Sequence, residues 1–279
     1  LAPTTGQLSL LLASIAVLAV GGVVAQRRGA ERQAGSGDAR ERIGEACRWI
    51  GIALGVGVIA WHSADRGSWY PLEDNFDALV WLGTMLAALA GYLRFRRAPR
   101  GFDWLVMPVA VLLLVGAVAV GLWAPREYHV RSLWHWVHRV SAYGGAIAFA
   151  VAGAAGMLWL VAAARLRAKR PPAGESFGSL ETLERFTLLP ATLGFALLSV
   201  GLVTGLARAL DADATALGDR WLTSPKVLLA LGAWGVYALV LHAPLNPAFR
   251  GRRSAVLSIV GFVLMIGVII AVQFMPPSS

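Results

Sequence analysis

The chain has 279 residues, of which 57% are hydrophobic and only 15% charged. A soluble domain carries roughly 45–50% apolar and about 25% charged residues, so a disordered chain, a collagen-like repeat and an ordinary soluble enzyme are excluded, and a multi-span membrane protein is indicated. The single cysteine, Cys47, excludes an intrachain disulfide, a CxxC redox centre, an iron–sulfur cluster and a covalent CxxCH haem site, while the net charge of +9 acquires meaning only once it is divided by membrane side.

Eight apolar stretches predict helices that cross a bilayer core of roughly 30 Å, which takes about 20 residues. They are Leu8–Ala25, Ala46–His62, Phe76–Phe95, Trp104–Trp123, Trp134–Leu166, Phe186–Leu210, Lys226–His242 and Ala255–Phe274. The first reads as a helix and not a cleaved signal, because no basic n-region precedes it and many spans follow. The second and seventh are the shortest. The fifth exceeds one crossing, so its C-terminal end is expected to project from the membrane. Arg27–Ala46 reads as a polar inner loop with room for a short helix, and Pro171–Ser179 as an inner linker. Gly recurs within most spans, which suits close helix approach in lipid. Trp61, Trp104, Trp123 and Trp134 stand at span ends, as in an interfacial belt.

The charges orient this array. The loops after spans one, three, five and seven hold eighteen of the 25 basic residues, whereas acids divide evenly. The positive-inside rule therefore puts those loops inside and both termini outside. The expected architecture is all-α: one integral membrane domain over residues 1–279, a bundle of eight transmembrane helices with both termini on the periplasmic side.

The spans contain almost no acids, which leaves little material for a carboxylate proton relay. Five histidines remain: His62, His129, His135, His138 and His242. The first four fall at the outer side, with His135 and His138 three residues apart on roughly one helix face. Helix rise places His242 about 24 Å deeper. Imidazole ligates haem iron, and flat aromatic residues suit a porphyrin face, so the cluster beside Trp61, Trp69, Trp134 and Trp136 is a candidate haem site. An interfacial belt with capping histidines is the plainer alternative. Neither acid nor Cys stands at ligand spacing from His135 and His138, so no metal beyond haem iron is expected.

Five segments, in order, give the chain a family resemblance over roughly residues 45–265. They are Tyr70–Leu79 (YPLEDNFDAL), Trp134–Val161 (WHWVHRVSAYGGAIAFAVAGAAGMLWLV), Leu193–Ala207 (LGFALLSVGLVTGLA), Gly218–Lys226 (GDRWLTSPK) and Trp234–Gly261 (WGVYALVLHAPLNPAFRGRRSAVLSIVG). Together they resemble the integral membrane cytochrome c assembly proteins of the CcsA/ResC/HemX type. In that likeness His138 takes the place of an outer haem-ligating histidine, and His242 that of an inner haem ligand. Gly218, Trp221, Pro225 and Lys226 match the remnant of a tryptophan-rich loop. Leu217 and Thr223 stand where that loop has tryptophans, Ser224 replaces its Asp and Val227 its Glu, which draws the chain toward the HemX-like branch.

The resemblance implies a protein of the bacterial inner membrane that holds or delivers non-covalent haem b at the outer face for cytochrome c biogenesis. His138 would ligate iron, with His62 or His129 as candidate second ligand, Trp221 covering the porphyrin, and Arg131, Arg139 and Lys226 pairing with propionates. Arg126 and Arg208 are further candidates for that pairing. No catalytic residue of its own is expected; the chain would at most be a component of a haem lyase system. The implied partners are membrane lipid, apocytochrome c and a membrane protein bearing a large outer domain, with no nucleic acid. The alternative is a HemX-like regulatory or scaffold protein of tetrapyrrole metabolism that binds no haem; a small-molecule permease is a third, weaker reading.

Overall fold

The computed structural model describes residues 2–26, 37–69, 72–96, 99, 101–123, 133–169, 178–210, 223–243, 245–246 and 249–274. These form eight helices and no strand: α1 (Thr5–Gln26), α2 (Gly37–Arg66), α3 (Asn75–Phe95), α4 (Gly101–Trp123), α5 (Leu133–Arg167), α6 (Leu180–Leu210), α7 (Pro225–Leu241) and α8 (Arg252–Phe274). They fall where the apolar stretches predict them. Seven are long and apolar enough to cross a membrane; α7, with 17 residues, is shorter, about 26 Å by helix rise. The protein is therefore a multi-pass membrane protein.

Two compact units divide the chain, Leu1–His129 and Val130–Ser279. In the first, α1 to α4 run up and down in a closed ring. Ser14 Oγ on α1 donates to the Gly51 carbonyl of α2 at 2.8 Å. Gly55 faces Thr84 of α3, and Gly83 faces Leu114 and the Ala110 carbonyl of α4. Gly121 of α4 closes the ring against Pro3 and Phe76. The buried stripe of α1 follows three-and-four spacing at Gln7, Leu11, Ser14 and Leu18. Leu12, Val20 and Leu112 point outward as an apolar exterior, the distribution that lipid requires.

The helix of α2 begins nine residues before the predicted span, within the stretch read as a loop. Its first turns gain partners that local sequence does not reveal. Glu41 pairs with Arg94 of α3, and Arg48 Nη2 reaches Asp103 of α4 at 2.8 Å. Arg94 Nη1 lies 3.0 Å from the same Asp103 oxygen. Similarly α6 begins at Leu180 and not Phe186, because Ser179 Oγ accepts the Thr182 amide at 3.1 Å and caps the extra turn.

The second unit packs α5 between α6 and α8, with α7 against α6 and α8. Its centre is a stacked pair, Phe149 and Tyr237, with ring centroids 3.6 Å apart. The Tyr237 hydroxyl donates to the Ser258 carbonyl at 3.1 Å, which satisfies its polar end. Helices α5 and α8 approach so closely that a Cβ on Gly156 would lie 2.6 Å from the Ala255 carbonyl oxygen. Antiparallel packing brings the start of α5, the end of α6, the start of α7 and the end of α8 to one end of this unit.

Candidate functional site

That end of the second unit carries His135, Trp136, His138 and Arg139 in the first turns of α5. The His138 ring is half-buried against α6, where Gly205 makes room for it: a Cβ there would lie 3.1 Å from His138 Cε1. His138 Nδ1 lies 2.8 Å from the Gly201 carbonyl oxygen. A carbonyl only accepts, so Nδ1 carries a proton, and in the neutral ring the lone pair is then on Nε2. Second-side anchoring of this kind orients histidines that bind metals. Thr204 Oγ1 donates to the same carbonyl at 3.1 Å, and Ser141 Oγ donates to the carbonyls of Val137 and His138, which tightens the turn. Pro225 occupies the first turn of α7 behind Ser224, and Lys226 follows, half-buried. Ser224 Oγ and both amide atoms of Gln273 are buried at this end without a hydrogen-bond partner among the described residues. The donor chemistry fits an iron porphyrin at His138.

His242 ends α7 and is exposed; its Nδ1 donates to the Ala238 carbonyl at 2.7 Å, which caps the helix. His129, Arg131, Gly218 and Trp221, all singled out by the sequence, lie outside the described residues.

His62 belongs to the first unit and is fully buried. Four elements build its surroundings. Gln7 comes from the first turn of α1. His62 and Arg66 lie one turn apart on α2. Leu72, buried with φ 71°, turns the chain toward α3 in a conformation that non-glycine residues rarely adopt. Asp74 then caps α3, its Oδ1 accepting the Asp77 amide at 2.6 Å.

His62 Nε2 stands 2.9 Å from Asp74 Oδ2, and Nδ1 stands 3.1 Å from Gln7 Oε1. Arg66 Nη1 donates to Asp74 Oδ2 at 3.0 Å and Asp77 Oδ2 at 2.7 Å. Arg66 Nε is 2.9 Å from Glu73 Oε2, near enough for an ion pair although the angle is poor for a hydrogen bond. The Phe76 ring meets His62 edge-on at 5.2 Å.

Burial by itself would push the Asp74 carboxyl up. The hydrogen bonds from His62 and from the Asp77 amide, with the charges of His62 and Arg66, outweigh that and hold it below the usual aspartate value. Ligand atoms of His62, Asp74 and Asp77 lie within 4.8 Å of one another, as a metal site would need. The Arg66 guanidinium already bridges both carboxylates, so a cation is in place and a metal ion would have to displace it. Sequence reading missed this cluster, although His62-x-x-x-Arg66 puts both side chains on one helix face and Asp74-x-x-Asp77 before an apolar run is an N-terminal capping pattern.

The eight helices, seven of them long and apolar enough to cross a membrane, define a polytopic helical membrane protein. Residues 69–277 match the family described as cytochrome C assembly protein, and the chain belongs to that family. A cytochrome c biogenesis protein CcsA from Guillardia theta is 27% identical over 242 residues, an alignment spanning 79% of this chain and 77% of that protein. The CcsA protein of Prochlorococcus marinus strain NATL1A is 36% identical over 99 residues, 36% of this chain and 30% of that protein. The CcsA protein of Synechococcus sp. strain CC9605 is 38% identical over 85 residues, 30% of this chain and 27% of that one. In these last two the match spans less than a third of the relative's length.

Proposed function

We propose that this chain handles haem in cytochrome c biogenesis, holding or delivering it at the outer face of a bacterial inner membrane. The observation that carries the reading is the His138 side chain, anchored through Nδ1 on the Gly201 carbonyl, which leaves Nε2 as the nitrogen a neutral ring would offer to iron. Family membership and the CcsA relatives support the biogenesis setting. His138 would hold haem, and Trp221, Arg139, Arg131 and Lys226 are proposed to cover and pair with it, since guanidinium groups bind carboxylates in bidentate fashion. Bound haem supplies an iron that takes an axial imidazole. The chain's own residues orient that imidazole and shield it; the acceptor thiols belong to an apocytochrome, brought by a membrane partner with a large outer domain.

A visible spectrum of the protein purified from haem-sufficient cells tests this. A b-type Soret band that His138→Ala abolishes is the expected result. A colourless wild-type protein would overturn it and favour a HemX-like scaffold that binds no haem.

A further inference from the structure

The donors and acceptors around His62 fix its protonation. Gln7 Oε1 accepts the Thr4 amide at 2.8 Å, and Gln7 Nε2 donates to Asp65 Oδ2 at 2.8 Å. Turning the amide over would set two donors face to face at Thr4 and two acceptors face to face at Asp65, so the orientation is settled by contacts other than His62. His62 Nδ1 therefore faces an acceptor. Its Nε2 faces Asp74 Oδ2, an oxygen that also takes Arg66 Nη1, in a carboxylate whose other oxygen takes a backbone amide. Both ring nitrogens have to donate. The charges point the same way: the buried carboxylates Asp74 and Asp77 share one cation, Arg66, which also pairs with the more exposed Glu73. An imidazolium supplies the second, and uncompensated charge is costly at such burial.

We infer that His62 is a doubly protonated imidazolium that ties α1 to the start of α3, a positioning residue and not an iron ligand. Iron needs a lone pair on an imidazole nitrogen, and here both nitrogens are committed to protons. The groups facing His62 are Gln7 from α1, Arg66 and, through Gln7, Asp65 from α2, Asp74 with Glu73 behind Arg66 from the turn, and Asp77 with Phe76 from α3. The facing end of α4 (Val120, Gly121, Leu122, Trp123) brings no titratable side chain. The tie also spans the edge of the family match: Gln7, His62, Asp65 and Arg66 precede residue 69, whereas Asp74 and Asp77 lie within residues 69–277. It thus fastens the first two helices onto the family-matched segment. The inference does not depend on whether haem is bound at His138.

The test is nitrogen NMR on the full-length wild-type chain in lipid nanodiscs, with 15N-labelled histidine and 13C-labelled phenylalanine. The contact between His62 and Phe76 assigns the His62 signals without any substitution. At neutral pH both nitrogens should resonate as protonated, each with a directly bound hydrogen, and addition of haem should leave them unmoved. In Asp74→Asn one nitrogen should convert to the unprotonated, pyridine type. A pyridine-type Nε2 in the wild type would place the proton on Asp74, and a pyridine-type Nδ1 would break the Gln7 argument. Movement of the His62 signals to iron-ligated positions on haem addition would restore it as a ligand. Any of the three overturns the inference.

Discussion

Replacing Asp74 with Ala and with Asn separates the two duties of that carboxylate. Alanine removes the helix cap, about 1 kcal/mol and up to ~2 kcal/mol, and strips a buried charged partner from His62, where breaking such a pair costs about 3–5 kcal/mol. Arg66 keeps Asp77 and Glu73, so only His62 is stranded. The expected loss for Asp74→Ala is therefore about 4–7 kcal/mol, a large share of the roughly 5–15 kcal/mol that stabilises a domain. Asparagine caps as well as aspartate and still offers an oxygen, so Asp74→Asn should lose about 2–3 kcal/mol. The acid dependence follows from the lowered carboxyl. The wild-type advantage over Asp74→Asn is fully present above the ordinary aspartate range, about 3.9, and disappears as pH falls through the lower folded value. Unfolding followed by tryptophan fluorescence in detergent, with added SDS as denaturant, measures all three proteins at neutral pH and in a descending series. Equal losses for Ala and Asn would refute the capping argument. A wild-type advantage that persisted unchanged well below the ordinary aspartate range down to full protonation would refute the charge argument.

Gly156→Ala should loosen α5 from α8. Ordinary contact begins near 3.4 Å and the new Cβ would meet backbone at 2.6 Å, so the helices part by about 0.8 Å at a cost of about 1–3 kcal/mol; Gly235→Ala, where no atom lies within 4 Å, should be neutral or stabilising by up to ~1 kcal/mol in the same thermal scan. Haem content per chain, by pyridine haemochrome, should fall about tenfold or more in His138→Ala but stay near wild type in folded His62→Gln; the reverse order would reassign the ligand. In a Cys47→Ser background, Trp69→Cys should react with an impermeant thiol reagent from outside and Leu245→Cys should not, both positions being well exposed; reversed labelling would invert the orientation read from the basic loops.

Apolar length and charge placement determined the spans, because a helix in lipid must satisfy its backbone internally and carry about 20 apolar residues whatever its neighbours are. All eight helices were legible on that ground alone, whereas His138 was singled out by a family-like segment and its role is a proposal. Helix ends were not legible. The first turns of α2 are polar and became helix through Glu41 and Arg48, whose partners Arg94 and Asp103 lie more than fifty residues away. The His62 cluster was hidden for the same reason. Gln7 lies 55 residues from His62, and nothing in a local pattern announces that α1 delivers an amide oxygen to α2. Sequence placed His62 at a helix end among aromatic residues, where it resembled a ligand. Packing alone decided that two acceptors, one of them on a shared carboxylate, face its ring nitrogens, because hydrogen-bond direction and charge balance are properties of a closed set of neighbours and not of any one segment.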